Sequence, residues 1–224
     1  MVEEIRLAGI TPFTMIDFPG RRAAVLLLQG CEWRCHHCQD VRIQPRERQP
    51  GTPDWPDALA WLADRRGLLD GILLSGGEPL LQHDLLAAIG EIHGMGFEVG
   101  LHTSGVYPER LAVVLSKLAW VGLDFKMPLS RYAELTGAAA GEKVLAAMRM
   151  LMAHGGNFEI RSTVDAKYHD VKALDTMRKE LMDSGIPLAR WVLQVQRKAP
   201  SQICVASQQL AKETAIRFGI ALRE

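Results

Sequence analysis

Six short strand-like runs, five mainly apolar and one alternating, each leading into a stretch of helical periodicity, constrain this chain more than any other feature. They are Ala23–Leu28, Gly71–Leu74, Phe97–Leu101, Trp120–Leu123, Phe158–Val164 and Trp191–Val195. Each is too short for a helix and is bounded by glycine, proline or charged residues, so each reads as a strand. The unbroken apolar character of Ala23–Leu28 fits a strand buried on both faces, as in a parallel sheet. Between the runs, apolar residues recur at helical spacing. Asp54, Asp170 and Ser207 stand as N-caps, and Gly67, Gly94, Gly155, Gly185 and Gly219 as stops. Strands alternating with helices imply right-handed βαβ units around a parallel sheet. Six strands fall short of the eight of a closed barrel, which leaves an incomplete barrel and a doubly wound sheet both open. Residues 5–22 read as an extended lead-in ending in the turn Asp17-Phe18-Pro19-Gly20.

Directly after the first strand come Cys31, Cys35 and Cys38, spaced C-x3-C-x2-C, while the fourth cysteine, Cys204, stands far away. Three thiolates this close can hold one metal centre. They are one short of the four that close a structural zinc or iron–sulfur site. The spacing alone admits an iron–sulfur cluster with one iron free, a zinc site completed by His36 or His37, or cysteines that only pack. Three further stretches also follow strand ends: Ser75-Gly76-Gly77-Glu78-Pro79, Thr103-Ser104-Gly105 and Asp124-Phe125-Lys126. In parallel α/β folds that rim binds ligands. There Gly76 and Gly77 let backbone approach a ligand, Glu78 offers a carboxylate, Thr103 and Ser104 offer hydroxyls, and Lys126 offers a cation two residues from Asp124. Each also has a structural use, as a turn, a helix cap or an internal ion pair.

Lys and Arg number 26, as do Asp and Glu. Such balance points to no nucleic acid and no anionic membrane, and Arg42, Arg46 and Arg48 read as a solvated loop. No apolar run approaches the ~20 residues of a spanning helix. Glu3, Glu4, Arg6 and Asp17 argue against a signal peptide. Clustered cysteines in a chain of 224 residues fit a reducing, cytoplasmic setting better than a disulfide framework. One domain over 1–224 is expected: the lead-in 1–22, a core over 23–197 and a C-terminal helical segment over 198–224.

With these residues in view, the chain resembles the radical S-adenosylmethionine (SAM) enzymes. More narrowly, it resembles the glycyl radical enzyme activases, in particular the anaerobic ribonucleoside-triphosphate reductase activating proteins. The likeness rests on Gln29-Gly30 before Cys31-x3-Cys35-x2-Cys38, on Gly76-Gly77-Glu78-Pro79, and on Asp17-Phe18-Pro19-Gly20 with Arg22, and runs from about Thr14 to Val195. The resemblance implies a partial (β/α)6 TIM-like barrel of the radical SAM type carrying a [4Fe–4S] cluster. Cys31, Cys35 and Cys38 would be its ligands, and the amine and carboxylate of SAM would take the remaining iron. Gly76, Gly77 and Glu78 would hold the SAM amino group, Thr103 and Ser104 would line its pocket, and Lys126, beside Asp124, would reach its carboxylate. One electron would cleave SAM to methionine and a 5′-deoxyadenosyl radical, which would take hydrogen from a glycine of a partner glycyl radical enzyme. Asp17 and Arg22 would face the partner's glycine loop, and a flavodoxin or ferredoxin would supply the electron. His37 stands where the family usually has Tyr or Phe against adenine, and His102 stands where some activases have Asp beside a cation. No cysteine lies between Cys38 and Gly76, so a single cluster is expected. The alternatives are a radical SAM enzyme acting on a small molecule, such as a deazapurine-forming synthase, and, outside that resemblance, a zinc- or iron–sulfur-binding protein without turnover.

Overall fold

The structure, a computed structural model, describes residues 5–199 and 202–223. Residues 1–4, 200, 201 and 224, at the edges of the expected lead-in and C-terminal segment, lie outside the described residues. The described chain forms two compact units. The first runs to Glu32 and takes in Arg42–Thr103 and Glu109–Gly122; the second comprises Trp33–Val41, Ser104–Pro108 and the chain from Leu123 onward.

In chain order the elements are β1 (Leu7–Thr14), β2 (Ala23–Leu28), α1 (Trp55–Ala63), β3 (Gly71–Gly76), α2 (Leu85–Gly94), β4 (Glu98–Thr103), α3 (Pro108–Leu115) and β5 (Trp120–Asp124). Then follow α4 (Tyr132–Thr136), α5 (Gly141–His154), β6 (Phe158–Val164), α6 (Val171–Asp183), β7 (Trp191–Val195), β8 (Arg197–Ala199), β9 (Gln202–Ile203), α7 (Val205–Phe218) and β10 (Ala221–Arg223). All six expected strands form. The lead-in adds β1, antiparallel to β2.

In the first unit β2, β3 and β4 are parallel. Leu28 pairs with Gly76, so Gly30 and Gly77 leave their strands at the same end. β2 and β3 are buried along almost their whole length, which is what their unbroken apolar runs require. Asp54 caps α1 by accepting the Asp57 N–H at 2.8 Å. The lead-in turn supplies core as well: Phe18 is buried and packs with Ala23, Val25, Leu73 and Trp120. Its ring fits because Gly71 and Gly100 carry no Cβ; one on Gly100 would lie 3.0 Å from Leu73 and 3.1 Å from Phe18. Gly100→Val should therefore overpack this cluster and cost about 2–3 kcal/mol, read as a lower midpoint in urea unfolding.

In the second unit β6, β7 and β10 are parallel, and β8 and β9 form a short antiparallel pair. Asp170 caps α6 by accepting the Ala173 N–H at 2.7 Å. Ser207 does not cap the last helix. α7 starts at Val205 with Cys204 in the cap position, and the buried Ser207 hydroxyl accepts the Ala166 N–H instead. A serine near a helix start looks alike in either use; the tertiary donor decides. No helix among the described residues is long and apolar enough to cross a membrane.

Candidate active site

In the first unit the turn after β3 is shaped by close backbone approach. Gly76 has φ +108°, and a Cβ there would lie 2.5 Å from the Leu28 nitrogen. A Cβ on Gly77 would lie 2.1 Å from the Gly30 carbonyl oxygen. The Gly77 and Glu78 amides donate to the Leu28 and Gly30 carbonyls, both at 2.9 Å. The next loop holds the same segment from the other side: Gly30 N–H donates to Ile43 O at 2.8 Å and Cys31 N–H to Gln44 O at 3.0 Å. Glu78 is 1% exposed. Its Oε1 accepts from the Thr103 hydroxyl at 2.8 Å and the Leu80 amide at 3.1 Å. Two residues singled out by the sequence, Glu78 and Thr103, thus meet across neighbouring strands. A buried carboxylate needs such donors, and a ligand ammonium is a suitable counterion for it.

His102 turns inward on β4. Its Nε2 lies 3.1 Å from the Asp17 carbonyl oxygen, which can only accept, so Nε2 carries the proton. Nδ1 then accepts from the Ser75 hydroxyl at 3.2 Å, and the ring meets Trp120 edge-on. The Asp17 carboxylate accepts from Thr14 Oγ1 at 2.7 Å. Arg22 precedes β2, the end opposite to Cys31, and makes a two-pronged ion pair with Asp70 at 2.6 and 3.0 Å. A six-residue strand separates Arg22 from the cysteine end by roughly 20 Å.

In the second unit Cys35 and Cys38 lie on a loop fastened to α4: Arg34 N–H donates to Thr136 O and His36 N–H to Leu135 O, both at 3.1 Å. Trp33 packs edge-on against Tyr132, and His36 stacks on Tyr168. Burial pushes the Cys35 thiol pKa up, with the Lys126 charge opposing. His37 is buried and held neutral, its pKa lowered to about 3 by burial first and the Lys126 charge second. Its Nδ1 is buried with no hydrogen-bond partner among the described residues. Cys31 belongs to the first unit and Cys35 and Cys38 to the second.

Lys126 donates to Asp124 Oδ2 at 2.8 Å. Burial works against its charge, but Asp124 and Cys35 outweigh burial and the pKa is raised. Three partners missed by sequence reasoning steady this pair. Arg161 grips Asp124 Oδ1 through Nε at 3.1 Å and Nη2 at 2.6 Å. Tyr132 Oη accepts the Lys126 amide at 3.0 Å. His169 donates from Nε2 to the Lys126 carbonyl at 2.9 Å and accepts the Asp165 amide on Nδ1. A signal for Arg161 was present: a charge in the middle of a strand, Phe158–Val164, needs a counterion when that strand is buried. Ser104 is buried beside Gly105, where a Cβ would lie 2.7 Å from Leu123.

The donor chemistry fits an iron–sulfur cluster. The three clustered cysteines are half-buried and free of disulfides, and thiolates are the donors that hold such clusters. Among the described residues no group of three His, Cys, Asp or Glu side chains is placed to hold a metal ion. The profile of the radical SAM superfamily matches residues 25–179.

The chain belongs to the radical SAM superfamily.

Radical SAM chemistry implies a [4Fe–4S] cluster and SAM. A protein of Methanocaldococcus jannaschii, named as a candidate glycyl-radical enzyme activating enzyme, is 26% identical over 190 residues, 80% of this chain and 77% of that one. The 7-carboxy-7-deazaguanine synthase of Geobacter sulfurreducens is 29% identical over 127 residues, 49% of this chain, and the match spans about half (51%) of the synthase. Among solved structures, QueE from Escherichia coli matches 97% of this chain and 92% of its own, with TM-score 0.63 and 19% identity. That likeness carries the fold: mixed α/β with a mostly parallel sheet, the radical SAM partial barrel.

Proposed function

We propose that this radical SAM enzyme is an activase that generates a glycyl radical on a partner enzyme, an anaerobic ribonucleoside-triphosphate reductase. The reach of its likeness to the archaeal candidate activase, 80% of the chain, carries the reading. The lead-in Asp17-Phe18-Pro19-Gly20 supports it as one of the stretches that carry the resemblance to the activases.

Cys31, Cys35 and Cys38 hold one [4Fe–4S] cluster, and Glu78, oriented by Thr103 and Leu80, receives the SAM ammonium. Gly76 and Gly77 let the backbone come close, and Ser104 and His37 line the adenosyl end. Lys126, kept charged by Asp124, receives the SAM carboxylate. When bound, the cluster and SAM supply one-electron cleavage of the sulfonium and a 5′-deoxyadenosyl radical; the residues orient SAM and exclude water. Asp17 and Arg22 face the partner's glycine loop, their side chains meanwhile held by Thr14 and Asp70.

Anaerobic reconstitution, reduction and addition of SAM with a candidate reductase should give 5′-deoxyadenosine and a glycyl radical doublet by electron paramagnetic resonance. Absence of both would defeat the proposal. A second reading, a small-molecule enzyme, is favoured by the synthase likeness; formation of 7-carboxy-7-deazaguanine without a protein partner would establish it.

The unpartnered His37 nitrogen makes its own prediction. A buried unsatisfied polar atom costs about 1–3 kcal/mol, and phenylalanine removes it. His37→Phe should therefore stabilise the cluster-free protein by about 1 kcal/mol, measured by thermal unfolding; a loss would show that the nitrogen has a partner.

A further inference from the structure

Two buried glutamines of the first unit, Gln29 and Gln82, stand beside the cysteine segment and have no part in the chemistry described so far. Gln82 spends its whole amide on backbone groups. Its Nε2 donates to Gln29 O at 2.7 Å and to Arg6 O at 3.3 Å, and its Oε1 accepts the Arg6 N–H at 3.3 Å. Turning the amide over would set its oxygen against two carbonyls, so this orientation is fixed. Gln29 reaches the other way, its Nε2 donating to Pro45 O at 2.8 Å and to Arg42 O at 3.0 Å. A buried amide is costly unless its donors are met, and here both side-chain N–H groups of each glutamine are met.

These bonds fall where the chain would otherwise be loose. Gly30, the single residue between Gln29 and Cys31, has φ +104°, a conformation that glycine enters and leaves readily. Its position is imposed from outside. The Gly30 and Cys31 amides donate to Ile43 O and Gln44 O, which lie between the two carbonyls gripped by the Gln29 side chain. Toward the turn after β3, consecutive carbonyls hold one short segment at both ends. Gly30 O accepts the Glu78 amide at 2.9 Å, and Gln29 O accepts the Gln82 side chain. Glu78 and Gln82 bracket the turn Pro79–Leu81, which the Gln82 amide closes by donating to Pro79 O at 3.0 Å. A closed ring of bonds therefore ties the residue before Cys31 to the turn that begins at Glu78.

We propose that Gln82 and Gln29 are positioning residues that hold the Cys31 thiolate and the Glu78 carboxylate at a fixed separation, so that the cluster and the SAM ammonium meet. Apolar side chains of the same size would fill this space without the desolvation cost. A fully satisfied polar network gives a single geometry instead. Both glutamines act through the backbone, and neither is a catalytic residue. The inference rests on the reading that Cys31 holds the cluster and Glu78 receives SAM.

Gln82→Met keeps the volume and removes the amide. Gln82→Asn keeps the amide, drawn back by about 1.5 Å, and serves if the methionine variant does not fold. Amide hydrogen exchange is read first, on the cluster-free proteins. In either variant the Gly30, Cys31 and Glu78 amides should exchange about 10-fold faster relative to the amides of β4. After anaerobic reconstitution and reduction with dithionite, the variants should keep their iron. Their KM for SAM in cleavage should rise about 10-fold, with a smaller fall in kcat. Leu62→Ala, a core change on α1 in the same unit, is the control for lost stability, and should leave the relative exchange and the SAM KM at wild-type values. Unchanged relative exchange in the Gln82 variants overturns the proposal, as does a wild-type SAM KM in them or an equal rise in Leu62→Ala. If wild type takes up no cluster or cleaves no SAM, the cofactor reading fails, and the exchange rates alone decide whether the glutamines tie Cys31 to Glu78.

Discussion

Cys31→Ala, reconstituted anaerobically, should come out essentially colourless, with far fewer than the about four irons per chain of an intact cluster, and with SAM cleavage reduced below detection. The reason is ligand count. An iron–sulfur cube with one iron open to SAM already uses the minimum of three thiolates, and two cannot hold it. The neighbouring histidines offer poor replacements for a sulfur donor. His36 is stacked on Tyr168, and His37 sits buried. Cys35→Ala and Cys38→Ala should behave alike. Cys204→Ala should keep its iron, since Cys204 stands at the start of α7. Iron and sulfide analysis with electron paramagnetic resonance of the reduced proteins checks all four. Full iron in Cys31→Ala would mean that the ligand set is wrong, and a colourless wild type binding zinc would end the radical chemistry altogether.

Gly77→Ala should be severely destabilising, costing about 4 kcal/mol or more and lowering the melting temperature by about 10 °C. The added Cβ would overlap the Gly30 carbonyl, at 2.1 Å from its oxygen and 2.7 Å from its carbon. That carbonyl cannot retreat: it accepts the Glu78 amide, while the Gly30 amide is bound to Ile43. The strain therefore passes into the turn that orients Glu78. Gly90→Ala is the control. Nothing lies within 4 Å of a Cβ there, and on an exposed helix position alanine should add about 0.5–1 kcal/mol. Calorimetric melting of the two cluster-free proteins separates the cases. A Gly77→Ala protein that melts with wild type would show that the two turns can part.

Much of the fold was legible because its signals are local. Ala23–Leu28 and Gly71–Leu74 declare buried parallel strands by unbroken apolar character, and Asp54 and Asp170 declare helix starts by a side chain that reaches its own next turn. Ser207 misled because its partner is Ala166, far along the chain. β10 escaped notice because a three-residue strand acquires its identity from pairing with β7. At the site, Glu78 and Lys126 stood out as charges at strand ends. Arg161 and His169 did not, because each acts on a neighbour 37 or 43 residues away, and Tyr132, six residues from the Lys126 amide it accepts, carries no mark of that contact in its own stretch. Arg22 stood out by motif alone, and its pairing with Asp70 at the other end of β2 carries no signal in its own stretch.

What the sequence by itself determined is the order of strands and helices, the clustering of three thiols on one loop, and the small residues at Gly76 and Gly77. All of these are written in spacing, polarity and side-chain size along a continuous stretch. Only the tertiary structure decided that Thr103 holds Glu78, that Arg161 anchors the partner of Lys126, and that Phe18 fills the space over Gly71 and Gly100. Those outcomes depend on which strands lie side by side and in what register, and a pairing between distant segments leaves no mark in either segment alone.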